Sequence, residues 1–130
     1  MHLYALVPVH KGLMKLEVFL KKHIRGMLEC FCLTNFDVTT KVVKTKCLAE
    51  IDVDLEYLSA KILYGKALKR AWEKGDKELV LTTLAHEITH ILLETLAETP
   101  GSKSKKHRIA LEQATEHISR LLYRLYRKET

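Results

Sequence analysis

His86-Glu87-Ile88-Thr89-His90 sets two imidazoles four positions apart, with a carboxylate beside the first. On a helix, residues at i and i+4 project from one face, one turn apart, so both rings can grip the same metal ion. Glu87 lies about 100° around the helix from His86. From there it can reach a water on the metal without being a ligand itself. This is the arrangement in which zinc lowers the pKa of its water to about 7 and a carboxylate takes the proton. Leu84-Ala85 before the motif and Ile91-Leu92-Leu93 after it are apolar, so the surroundings are buried. Unpaired histidines among leucines would carry a desolvation cost, which metal ligation removes.

A catalytic zinc takes three protein ligands and keeps a fourth position open. The extended pattern HExxHxxGxxH is absent, since positions 93 and 96 are Leu93 and Leu96. Glu112 stands far enough beyond His90 for the helix to end, turn at Pro100-Gly101 and return antiparallel. It is the preferred third ligand. Glu116 follows one turn later on the same face, suited to holding the other N–H of a ligand imidazole. It is also the main rival for the ligand position. Three further groups compete less well. Glu94 reaches only as an outer partner, His107 sits close to the chain break, and His117 faces another way.

Several elements must position these groups. Leu13, Leu16, Leu20, Ile24, Met27 and Phe31 recur at helical spacing and predict a long amphipathic helix from Gly12 to about Cys32, which Gly26 weakens. Thr34-Asn35 ends that pattern. Phe36–Lys44 is a β-branched run, Cys47–Asp54 alternates, and Leu58–Tyr64 places Ala60, Ile62 and Tyr64 on one face, so three strands are expected. Their short connections suit an antiparallel meander. Lys66–Glu73 reads as one or two helical turns closed by Gly75. Asp76 is an N-cap opening the motif helix, which should run to about Ala97. A last helix from about Lys106 carries Ile109, Ala110, Ala114, Ile118, Leu121, Leu122 and Leu125 as its apolar set. The expected class is α+β, with the helices segregated from a small sheet.

With 130 residues, the chain is expected to be one domain, residues 1–130, around one modest core. No apolar run reaches the roughly 20 residues of a membrane span, and His2–Val9 does not read as a signal peptide. Cys30, Cys32 and Cys47 are few and odd in number, which favours reduced thiols in a cytoplasmic compartment over a disulfide framework. The net charge of +6 is concentrated in Lys103–Arg108 and at Arg120, Arg124, Arg127 and Lys128. It permits contact with nucleic acid, but no aromatics are interleaved and no recognition module is present.

His86-Glu87-Ile88-Thr89-His90 followed by Glu112-Gln113-Ala114-Thr115-Glu116 resembles the gluzincin pattern, HExxH plus a downstream E-x-x-x-D/E on a glutamate helix, familiar from the thermolysin family. The resemblance implies that Glu112 is the third zinc ligand and that Glu116 orients one of the histidines. Position 116 is Glu where thermolysin-like enzymes carry Asp, a longer arm. The chain's size and the preceding sheet are similar to those of the minigluzincins. These are minimal zincin-like domains with an N-terminal backing helix, a three-stranded sheet, an HExxH helix and a C-terminal glutamate helix. Ala49–Ile62 also resembles the strand pair of small phage and prokaryotic proteins assigned as metallopeptidases.

The function this implies is zinc-dependent hydrolysis of peptide bonds, with Glu87 as general base and an extended peptide held on a sheet edge. Which strand forms that edge, which substrate is cleaved, and whether the isolated chain is active or latent stay open at this level. Thermolysin-like enzymes stabilise the oxyanion with groups from a second domain. Here Tyr64, His107 and Tyr123 are the available guesses. The alternatives are a non-catalytic metal-binding protein and a SprT-like protein acting at nucleic acid. Three scattered cysteines cannot build the zinc ribbon that SprT-like proteins often carry. Whether the chain forms a homodimer through the apolar N-terminal segment stays open at this level; contact with a membrane is not expected.

Overall fold

The computed structural model describes the backbone of residues 2–97 and 105–129, and side chains in 15–95 and 105–129. Helix α1 (His2–Cys30) is followed by strands β1 (Asp37–Val42), β2 (Ala49–Asp54) and β3 (Ser59–Tyr64). Then come α2 (Lys66–Glu73), α3 (Lys77–Ala97) and α4 (Lys105–Glu129). The α+β class agrees with the sequence expectation. The Pro100-Gly101 break lies outside the described residues. Helix α1 begins ten positions before the expected Gly12, because an established helix adds residues at little further cost. It ends at Cys30, where Cys32 takes a left-handed φ of 60° and the Leu33 N–H donates back to the Leu28 carbonyl at 2.8 Å.

The sheet order is β1-β3-β2, with β1 parallel to β3 and β2 antiparallel to it. This corrects the antiparallel meander. Short connections constrain which strands follow one another, but burial decides which strand lies in the middle. On β3, Ala60, Ile62 and Tyr64 are buried and Leu63 on the opposite face is half-buried, whereas β1 and β2 each expose one face fully. The strand with apolar groups on both faces takes the centre, inserted between β1 and β2.

Leu16, Leu20, Ile24, Met27 and Phe31 of α1 pack in one core with Val80, Leu84, Ile88 and Ile91 of α3 and with Ala60, Ile62 and Tyr64 of β3. Leu13 lies outside the residues whose side chains are described. The Glu17 carboxylate accepts hydrogen bonds from the Tyr64 and Thr40 hydroxyls, joining α1 to the sheet. At Gly26 a Cβ would meet Tyr126 Cε1 at 2.9 Å, so the residue that weakens α1 as a helix is the one that lets α4 approach. Asp76 caps α3, its Oδ1 accepting the Leu79 N–H at 3.1 Å. Among the described residues no helix is long and apolar enough to cross a membrane.

The apolar set expected for α4 is not the set it buries. Ile109, Leu121 and Leu125 are about half exposed, while Thr115, Ser119, Tyr123 and Tyr126 are buried. The helix is turned so that the small hydroxyl residues Thr115 and Ser119 lie on its buried face. Thr115 and Ser119 satisfy their hydroxyls on carbonyls of α4 itself, donating to Leu111 and Glu116.

Candidate metal centre

Because α3 carries its apolar residues into the core, His86 and His90 emerge together on the flank facing α4. Their ring centroids are 5.0 Å apart, nearly perpendicular. Helix α4 runs antiparallel to α3, as contacts at successive levels show: His90 meets Glu112, His86 meets Glu116, and Glu78 meets Tyr123. Glu112 Oε1 lies 3.2 Å from His90 Nε2 and its Oε2 lies 3.9 Å from His86 Nε2. Among the described residues, His86, His90 and Glu112 are a group whose donor atoms lie within 4.8 Å of one another.

Those separations can be tested against a metal. Zinc bonds of 2.0–2.2 Å to nitrogen and oxygen in tetrahedral geometry put neighbouring donors about 3.3–3.5 Å apart. The observed 3.2 and 3.9 Å bracket that spacing. Two imidazoles and one carboxylate are also a donor set that zinc accepts. Burial lowers the pKa of His90 below its ordinary value, against the pull of Glu112 and together with the repulsion of His86. A neutral imidazole is the form that ligates. The residues present fit a divalent ion.

Glu116 stands on the far side of His86, its Oε2 3.2 Å from Nδ1, and so faces the nitrogen that Glu112 does not. Its other oxygen accepts from Arg120, whose Nε and Nη2 lie at 3.1 and 3.0 Å. Sequence reading counted Arg120 only in the basic tail. Its i+4 spacing from Glu116 was the signal that could have placed it. Glu94 and His107 are half-buried and His117 is exposed; none of the three belongs to the donor group.

Glu87 is 6% exposed and has no hydrogen-bond or ion-pair partner among the described residues. Burial, with repulsion from Glu112 and Glu50, pushes its pKa up to about 8. The side chain lines a cleft of about 740 Å³ together with His86, Glu116, Arg120 and Arg124. Leu48 and Ala49, where β2 begins, and Tyr123 also line it. Of the three oxyanion guesses, Tyr64 is fully buried and engaged by Glu17, so it cannot serve this cleft. Tyr123 does line it, with its hydroxyl donating to Glu78 at 2.7 Å, and burial raises its pKa to about 12.

Comparison with family models, with curated proteins and with solved structures returns no match for this chain. The α+β fold and the His86, His90, Glu112 group therefore define the class by themselves: a small α+β protein with a group able to hold a metal ion.

Proposed function

We propose that this chain is a zinc-dependent peptidase in which His86, His90 and Glu112 hold the metal and Glu87 is the general base. One observation carries the reading. Three donors converge, and beside them a buried carboxylate without a partner opens into the adjoining cleft. A purely structural zinc site closes its fourth position with another ligand and has no use for a base. When bound, zinc supplies Lewis acidity, polarising a peptide carbonyl and making water more acidic.

The remaining steps belong to the chain's own residues. Glu87, whose pKa burial pushes up to about 8, is placed to accept a proton from water, and a bound cation would favour its ionised form. Glu87 then passes that proton to the leaving amine. Glu116 holds the proton on His86 Nδ1, which leaves the Nε2 lone pair for ligation. Arg120 anchors Glu116 in turn. Strand β2, paired only with β3, is the sheet edge beside the cleft, so an extended peptide can add to it through main-chain hydrogen bonds.

Protein purified without chelator is expected to carry about one zinc per chain by elemental analysis. Glu87→Gln should keep that zinc and lower peptide hydrolysis by about 10²–10⁴-fold. Full zinc loading with no cleavage across a diverse peptide mixture would replace this reading with that of a metal-binding protein. Absence of zinc after reconstitution would remove both.

A further inference from the structure

We propose that the substrate segment of this site is extended and rich in lysine or arginine, selected by Glu50 and Asp52 on the free edge of β2. The inference rests on the peptidase reading above. The chain as a whole carries a net charge of +6, yet the solvent face of β2 presents Glu50, Asp52 and Asp54 at alternate positions, all exposed. None of the three forms an ion pair among the described residues. Glu50 accepts from the Thr45 hydroxyl at 2.8 Å and Asp54 from the Tyr57 N–H at 3.2 Å, neutral donors that leave the charges in place. Across the ladder they face Leu63, Lys61 and Ser59, so one lysine stands opposite three carboxylates.

A row of carboxylates on an edge does not by itself indicate a ligand, since like charges also discourage copies of a chain from pairing there. The other edge is informative on this point. On the same face β1 carries Asp37, Thr39 and Lys41, so an exposed edge of this sheet does not require a uniform negative stripe. The cleft then gives the stripe a direction. Leu48 and Ala49, immediately before Glu50, line the space into which Glu87 opens, and Glu87 is a nine-tenths-buried carboxylate without a partner. The start of that edge and the reactive group thus share one volume, whose lining also includes Arg120 and Arg124, and Glu50 and Asp52 follow on the same strand just beyond it.

A peptide laid along β2 places alternate side chains on the solvent face, with Cβ atoms about 4.5–5.5 Å from those of the residues opposite. At that separation a lysine or arginine head reaches Glu50 and Asp52, and an acidic side chain is repelled. The positive charge of the whole molecule works against this preference. Selection of a basic peptide would therefore report the local stripe rather than the net charge.

The test uses zinc-loaded Glu87→Gln protein, so that peptides bind without being consumed. Labelled peptides of one host sequence carry lysine, serine or glutamate at alternate positions, and binding is read by fluorescence anisotropy. The lysine peptide should bind about tenfold or more tighter than the glutamate peptide at low salt, with the gap closing near 0.5 M salt. Asp52→Lys should narrow the gap several-fold while zinc content stays unchanged, with a small fall in melting temperature because the new lysine stands opposite Lys61. Equal affinity for the two peptides would overturn the inference, as would a lysine preference that survives Asp52→Lys combined with Glu50→Gln. Cleavage of the same peptides by the unsubstituted protein separates the two readings. Cleavage without charge preference sinks basic selection alone, whereas basic selection in binding with no cleavage of any peptide sinks the peptidase.

Discussion

At the scale of single residues, Glu112 and Glu116 are chemically identical and four positions apart, yet they meet different nitrogens. Glu112 lies against the Nε2 atoms of both histidines, whereas Glu116 touches only His86 Nδ1 and is itself held by Arg120. The assignments predict unequal losses. Glu116→Ala removes an orienting partner and should weaken zinc by about 10–100-fold. Glu112→Ala removes a ligand and should cost at least about tenfold more than that. Competition with a chromophoric chelator measures both, and a reversed order would exchange the two roles.

At the scale of elements, the site depends on how closely α4 lies against α1 and α3. Gly26 and Tyr126 set one of these approaches, with the Tyr126 ring in the space where a Cβ would fall. Gly26→Ala should gain up to about 1 kcal/mol of helix propensity. It should lose about 1–3 kcal/mol to overpacking, because Tyr126 is buried and hydrogen-bonded to His23. Net destabilisation in urea unfolding is the expected result. The accompanying loss of zinc affinity would show that α4 has been displaced. A stabilised variant would mean that the ring gives way freely.

At the scale of the whole molecule, His23 ties α1 to α4. Its ring packs against Phe19 at a centroid separation of 4.4 Å and its Nδ1 meets the Tyr126 hydroxyl. Burial lowers its pKa, and the nearby charges of Lys22 and Arg127 act the same way. The folded state thus binds this proton less readily than the unfolded state, whose value is about 6.5. Stability from the neutral ring is present above that value and is lost as the pH falls from it through the depressed folded pKa. The stability gap between the unsubstituted protein and His23→Gln should accordingly shrink between pH 7.5 and pH 5, measured by urea unfolding of metal-free samples. A constant or widening gap would contradict the linkage.

What the sequence by itself determined here is local in origin. The i, i+4 spacing of His86 and His90 puts both rings on one helical face, and the apolar flanks bury that helix. Asp76 starts it, and the alternation of Cys47–Asp54 and Leu58–Tyr64 marks two strands. The α+β class follows from those periodicities, and so does a group able to bind metal. The tertiary structure decided whatever depends on residues distant in sequence. It set β3 at the centre of the sheet, because only that strand carries apolar groups on both faces. It turned α4 so that Thr115 and Ser119 are buried while Leu121 and Leu125 face out, a choice periodicity could not make between two amphipathic faces. It also set which nitrogen each glutamate meets, and it left β2 as the free edge beside Glu87. Spacing along a helix is imposed by its own hydrogen bonds, whereas the rotation and approach of two helices are settled only when their side chains compete for the same space.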